Sequence, residues 1–191
     1  MTTISYRPEQ PADAPLIAAL IDRAFGPGRH AKAADRLREG NQLIHDLSFT
    51  AWDGDVLVGS VRLWPVAIGG EPVVFLGPIA VEAELRKHKI GQTLVEMACE
   101  ASAEAGWRAV LLVGDAPYFG RVGFEAASAK AVRMPGPVDQ RRVLLKALRD
   151  GGADGLAGLV TAWPGHALQR VAPSAYPEPQ GDIMTSVHAP G

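Results

Sequence analysis

One cysteine, Cys99, in 191 residues rules out an internal disulfide, and nothing else in the composition points to an oxidising compartment. No apolar run approaches the roughly 20 residues that cross a bilayer as a helix. The opening MTTISYRPEQ holds no apolar segment behind a positive charge, so no secretory signal is expected. An excess of one charge is lacking too. The 19 Lys and Arg face 21 Asp and Glu, for a net charge of −2. That balance sets up no global field for nucleic acid or an anionic membrane, so any anion site must be local. Nowhere do His, Cys, Asp and Glu fall at metal-ligand spacing. A Walker A loop and a Gly-x-Gly-x-x-Gly fingerprint are both missing. A soluble, cytoplasmic protein is expected, with no nucleic acid, no membrane and no metal as partners.

What remains is enough for one sizeable core, since 47% of the residues are hydrophobic and the length is short for two domains. Residues 1–171 read as a single domain and 172–191, rich in Pro, Gly and Ser, as a tail. Residues 4–7 read as a strand. Residues 13–25 read as a helix, with Leu16, Ile17, Leu20, Ile21 and Phe25 on one face. A second, shorter helix is expected over 31–39. Residues 47–52 and 56–64 are β-rich runs joined by Asp53-Gly54-Asp55, a hairpin signal. After Ile68-Gly69-Gly70-Glu71, residues 73–81 form a third strand. Pro78 cannot donate to a ladder, so a bulge is expected there, with backbone groups left open to a ligand. Residues 89–105 read as a helix and 107–113 as a strand. A strand, a helix of that length and a strand make a parallel, right-handed βαβ unit. A short helix or turn is expected over 115–121, a strand from Phe124, and another over 141–148. The fold class is therefore α/β with a mixed sheet: an antiparallel meander continuing into a βαβ unit with flanking helices.

The chemistry concentrates in residues 76–91, LGPIAVEAELRKHKIG. An apolar strand there delivers Arg86, Lys87, His88 and Lys89 to a helix start. The macrodipole makes that end positive, and each cation costs a few tenths of a kcal/mol or more. Basic residues in that place suit a bound anion held by backbone N–H groups. The alternative is a solvated cluster partly offset by Glu82 and Glu84.

Two motifs decide between them. Arg86-Lys87-His88-Lys89-Ile90-Gly91 resembles the acetyl-coenzyme A signature of the GNAT superfamily of N-acetyltransferases, matching at Arg86 and Gly91. The preceding Gly77-Pro78-Ile79-Ala80-Val81 resembles that family's bulged strand. Downstream, Gly114 to Phe124 resembles its second signature, an aromatic-rich turn closing on Gly-Phe. The resemblance implies a GNAT-like fold and transfer of an acetyl or other short acyl group from coenzyme A to a small-molecule or peptide amine. It implies that Ile79, Ala80, Val81, Arg86, Lys87, His88, Lys89, Ile90, Gly91, Gln92 and Phe119 bind the cofactor, and that residues 25–45 and the C-terminal third choose the acceptor.

Two positions depart from the pattern. Lys89 stands where the pyrophosphate loop has its first glycine, and a lysine must hold an allowed φ there. Phe119 stands where the family often has a tyrosine that protonates the departing thiolate. The adjacent Tyr118 is the nearest phenol and the candidate acid. Asp115, just past a strand end, is a candidate for substrate contact or for capping the next helix. His30 and His45 are weaker candidates in the acceptor region, and Cys99 reads as packing. The departures keep open a coenzyme A-binding module without turnover. An interaction protein is a third reading, in which the tail, Trp163 and Tyr176 pack on a partner subunit as a homodimer.

Overall fold

A computed structural model describes residues 3–26 and 34–164. Its strands are β1 (Ile4–Pro8), β2 (Phe49–Asp53), β3 (Val56–Ile68), β4 (Glu71–Val81), β5 (Ala109–Val113), β6 (Val132–Arg133), β7 (Val143–Ala147) and β8 (Gly158–Ala162). The helices are α1 (Ala14–Phe25), α2 (Ile90–Glu104) and α3 (Ala116–Phe119). The sheet runs β1-β2-β3-β4-β5-β7. Its first four strands are antiparallel, β5 is parallel to β4, and β7 returns antiparallel to β5. The meander and the βαβ unit thus stand as read.

Alternation along the strands sorts side chains to two faces. Gly59 faces α2 so closely that an added Cβ would stand 3.0 Å from Ile90 and 3.1 Å from Leu94. On that face Phe49, Ala51, Val61, Leu63, Val74 and Leu112 pack with α2. On the other, α1 buries Ile17, Leu20 and Ile21 against Leu57 and Ala80.

The differences from the sequence reading have local causes. β3 continues past Trp64 through Pro65 to Ile68. The Pro65 carbonyl accepts from Asn41 and from the Trp163 N–H, so the donor that proline lacks would also point away from β4. Beyond that point β8, which the sequence reading did not anticipate, takes over the β3 edge that β2 has left. The helix expected over 31–39 is, among described residues, a 3₁₀ turn at Asp35–Leu37. The strand expected from Phe124 is a single bridge, Glu125 to Leu145, because the alanine-rich stretch after it coils into a 3₁₀ turn. Trp163, which the interaction-protein reading set against a partner, packs edge-on against Trp107 of the same chain at 6.1 Å. His30, Tyr176 and the tail over 172–191 lie outside the described residues.

Candidate active site

The site begins at a mismatch between β4 and β5. The two strands pair only at Val74–Val110 and Phe75–Leu111. Beyond Phe75, β4 bulges. Val61 faces Ile79 and Leu63 faces Leu76, so β4 carries one residue more than β3 over the same span. The extra length falls at Gly77-Pro78, where the missing proline donor predicts a bulge, and the Gly77–Pro78 peptide bond is cis. The Gly77 carbonyl freed by the bulge accepts from the Trp64 indole at 2.8 Å. After the bulge, Ile79–Val81 pairs with β3 on one side and has no strand partner on the other among the described residues.

A cleft of about 660 Å³ fills the opening. Its walls come from β4 (Phe75 to Ile79), the end of β5 with Gly114 and Asp115, and Phe119. Ile21 and Phe25 of α1, Arg38, and the 137–142 segment close it. Arg38, Val138 and Arg142 carried no local signal in the sequence. They come from segments far apart in the chain and meet only in the fold.

The basic residues are arranged differently from the expectation. Arg86, Lys87 and His88 belong to a 3₁₀ helix, Ala83–His88, that precedes α2. They are exposed, and α2 starts at Ile90. Lys89 joins the two with φ 59° and ψ 12°, the only positive φ of a non-glycine residue among those described. It therefore adopts the left-handed shape of the glycine it replaces, at a cost of roughly 1–2 kcal/mol for a residue with a Cβ. The Lys89 carbonyl takes the first helical bond, from the Thr93 N–H at 3.0 Å. No side chain caps α2, which leaves the N–H groups of Ile90, Gly91 and Gln92 turned outward in its first turn. Glu82, expected to offset the basic cluster, is held instead by Arg23 of α1. Gln92 is tied to Glu96 at 2.8 Å.

The two neighbouring aromatics of α3 diverge. Phe119 is buried against Gly114, where any Cβ would fall 2.3 Å from its ring, and packs edge-on with Phe124 at 6.0 Å. Tyr118 is exposed on one side and lays its hydroxyl over the start of α2. A methyl built on Gly91 would stand 2.8 Å from that hydroxyl, 3.5 Å from Val81 and 3.7 Å from Ile79. The nearest phenol to Phe119 in the chain is thus at the preceding position, beside the start of α2. Burial raises the Tyr118 pKa above its ordinary value, against the opposing pull of Arg121, so the group stays protonated through neutral pH.

Asp115 caps α3, accepting from the Tyr118 N–H at 3.3 Å, and lines the cleft. His45 is exposed on a 3₁₀ turn outside the cleft lining. Cys99 is buried on α2, its thiol pushed up to about 11 by desolvation, which makes it a packing residue.

The bulged strand, the outward N–H groups and the basic turn fall in one stretch, residues 79–92, of which Ile79 lines the cleft. The model of the acetyltransferase (GNAT) family matches residues 15–124. The uncharacterized N-acetyltransferase YhbS of Escherichia coli (strain K12) is 34% identical over 156 residues, 81% of this chain and 93% of that protein. Among solved structures, the E. coli YhbS complex with CoA aligns with a TM-score of 0.73 at 30% identity, covering 89% of this chain and 94% of the other. A GNAT family acetyltransferase from Brucella melitensis, in complex with acetyl-CoA, aligns at a TM-score of 0.64 and 24% identity, covering 87% and 99%, and shares the fold.

Proposed function

The chain belongs to the acetyltransferase (GNAT) family, and from that premise we propose that it transfers an acetyl group from acetyl-coenzyme A to a primary amine by direct attack in a ternary complex. The observation that carries the proposal is the unpaired half of β4, Ile79–Val81, set beside an uncapped helix start at Ile90–Gln92. An extended amide-bearing arm pairs with such an edge as an added strand would. A pyrophosphate meets such a helix start, where free N–H groups and the macrodipole both favour negative charge. Arg86, Lys87 and Lys89 stand exposed around it and add positive charge from the rim, with His88 exposed beside them.

Bound there, acetyl-coenzyme A supplies a thioester whose acyl carbon is the electrophile. The residues of the chain do the rest. A backbone N–H of Ile79 or Val81 donates to the thioester carbonyl oxygen and stabilises the charge that grows on it. The walls of the cleft hold the amine in line with that carbonyl. The nitrogen–carbon bond forms as the carbon–sulfur bond breaks. The acceptor ammonium gives up two protons, one before attack and one as the amide forms. Tyr118 donates its phenolic proton to the departing thiolate and recovers one from solvent, for a net release of one proton. Phe119 forms the apolar floor, and Asp115 contacts the acceptor.

Calorimetric titration with acetyl-coenzyme A and a thiol-release assay over a panel of amines test the proposal. Binding together with amine-dependent thiol release is the expected result. Failure to bind at millimolar ligand contradicts it. Binding without release from any amine would favour a coenzyme A-binding module, the reading that a buried Phe119 in place of a phenol motivates. Assembly as a homodimer belongs to the same proposal and rests on residues after 164. Light scattering should give the mass of two chains, and the mass of one contradicts it.

A further inference from the structure

The cleft also constrains what the acceptor carries, provided the acyl-transfer reading holds. Among the described residues, four ionisable side chains line it: Arg38, Asp115, Asp139 and Arg142. Three are engaged by the chain itself. Arg38 donates to Asp35 at 2.8 Å and lies over the Phe75 ring. Asp139 accepts from the Arg141 guanidinium at 2.8 and 3.1 Å, and this contact holds its carboxyl below the usual range. Asp115 caps α3. Arg142 differs. Its Nε makes one long hydrogen bond, 3.4 Å to the Gly114 carbonyl, and among the described residues it forms no salt bridge. The backbone bond from the Gly114 N–H to the Arg142 carbonyl, 2.9 Å, fixes the residue at the open end of β5.

Arg142 is exposed at the edge of the cleft, with no carboxylate at salt-bridge distance among the described residues and only a longer-range pull shared with Asp139, so its planar fork is open to an incoming carboxylate. Asp115 follows Gly114 directly. A carboxylate and a guanidinium flanking one glycine suit an ammonium and a carboxylate carried on one carbon. The surrounding wall is apolar, with Ile21 and Phe25 from α1 and Phe75 and Val138 across from them. We infer that the acceptor is an α-amino acid with an apolar side chain. Its carboxylate is held by Arg142, its amine lies by Asp115, and its side chain lies along Phe25, Phe75 and Val138. Arg142 is then the residue that selects the substrate.

The test compares L-leucine and L-phenylalanine with 3-methylbutylamine and 2-phenylethylamine, which lack only the carboxylate. Each is titrated calorimetrically into the protein saturated with coenzyme A, and each is assayed for thiol release with acetyl-coenzyme A. The amino acids should bind more tightly and exceed their amines in kcat/KM by about 10- to 100-fold, the range for a charged hydrogen-bonded pair. Arg142→Gln should bring that ratio near one with coenzyme A affinity unchanged, and Arg142→Lys should restore part of it. Equal or better use of the bare amines, or of peptide N-termini, overturns the inference and leaves acyl transfer intact. So does a ratio that survives Arg142→Gln, or use of neither amino acid. Absence of acetyl-coenzyme A binding in the control titration overturns both.

Discussion

Two helices start near the bulged strand, α3 at the cleft and α2 beside Ile79 and Val81, and they start in opposite ways. α3 is closed on itself. Asp115 precedes it with extended backbone, φ −84° and ψ 115°, and its carboxylate accepts a first-turn N–H. α2 is open. Lys89 precedes it in the left-handed region, with a side chain that cannot accept a hydrogen bond, and the first-turn N–H groups face outward. A helix capped by its own carboxylate leaves little for an anion to gain. An uncapped start beside exposed cations, with Glu82 already held by Arg23, is stabilised when an anion arrives. Tyr118 belongs to the closed helix and lays its hydroxyl on the open one.

The largest effect should come from obstructing the open start. Gly91→Val places a branched side chain among Tyr118, Val81 and Ile79 and should weaken coenzyme A binding by about 100-fold or more by calorimetry, as expected for losing two charge-assisted hydrogen bonds. Unchanged affinity would remove the distinction between the two helices. Next comes the residue that joins them. Tyr118→Phe should lower kcat by about 100-fold, the low end for a general acid, with coenzyme A affinity nearly intact. Because burial raises the phenol pKa, the protonated form persists beyond the pH at which an ordinary tyrosine ionises, and the activity it supports declines only there. A basic limb below pH 9 that disappears in Tyr118→Phe would contradict the sign of the shift.

The closed start should respond in stability and, because Asp115 lines the cleft, in acceptor KM, but not in coenzyme A binding. Asp115→Ala removes the cap at a cost of about 1 kcal/mol, a fall of some 2–4 °C in Tm, with coenzyme A affinity unchanged. A Tm that does not move would mean the cap contributes nothing. The smallest effect concerns Lys89. Lys89→Gly relieves the left-handed strain but adds freedom to the unfolded chain, for a net gain of about 0.5 kcal/mol by denaturant unfolding. Lys89→Ala keeps the strain and loses the charge, so it should weaken coenzyme A binding without stabilising the fold. A destabilised Lys89→Gly would show that the lysine conformation is favoured by contacts that outweigh its dihedral cost.

The legible parts of the chain were those with a period or a turn signal. Asp53-Gly54-Asp55 announced the first hairpin, and Pro78 announced the bulge that opens the cleft. The 3.6-residue spacing of Ile90, Leu94 and Ala98 announced α2. That spacing could not tell where the α-helix begins, because a 3₁₀ turn over Ala83–His88 feeds into it and Lys89 gives no sign of a left-handed residue. β8 is five residues long, and it pairs on a stretch of β3 whose own extent Pro65 concealed. Tyr118 and Phe119 were recognisable as the relevant aromatics, but which one sinks into the core depended on Gly114, which makes room for one ring. Arg142 could not be found locally, since only the antiparallel return of β7 along β5 brings it to the cleft.

Amide hydrogen exchange with and without coenzyme A tests the open start most directly, because it reads the backbone groups involved. Protection should concentrate in two stretches, residues 79–81 and 90–92, with little change at the capped start over 116–119. Binding that protects other segments and leaves those two exchanging as before would contradict a cradle built from β4 and α2.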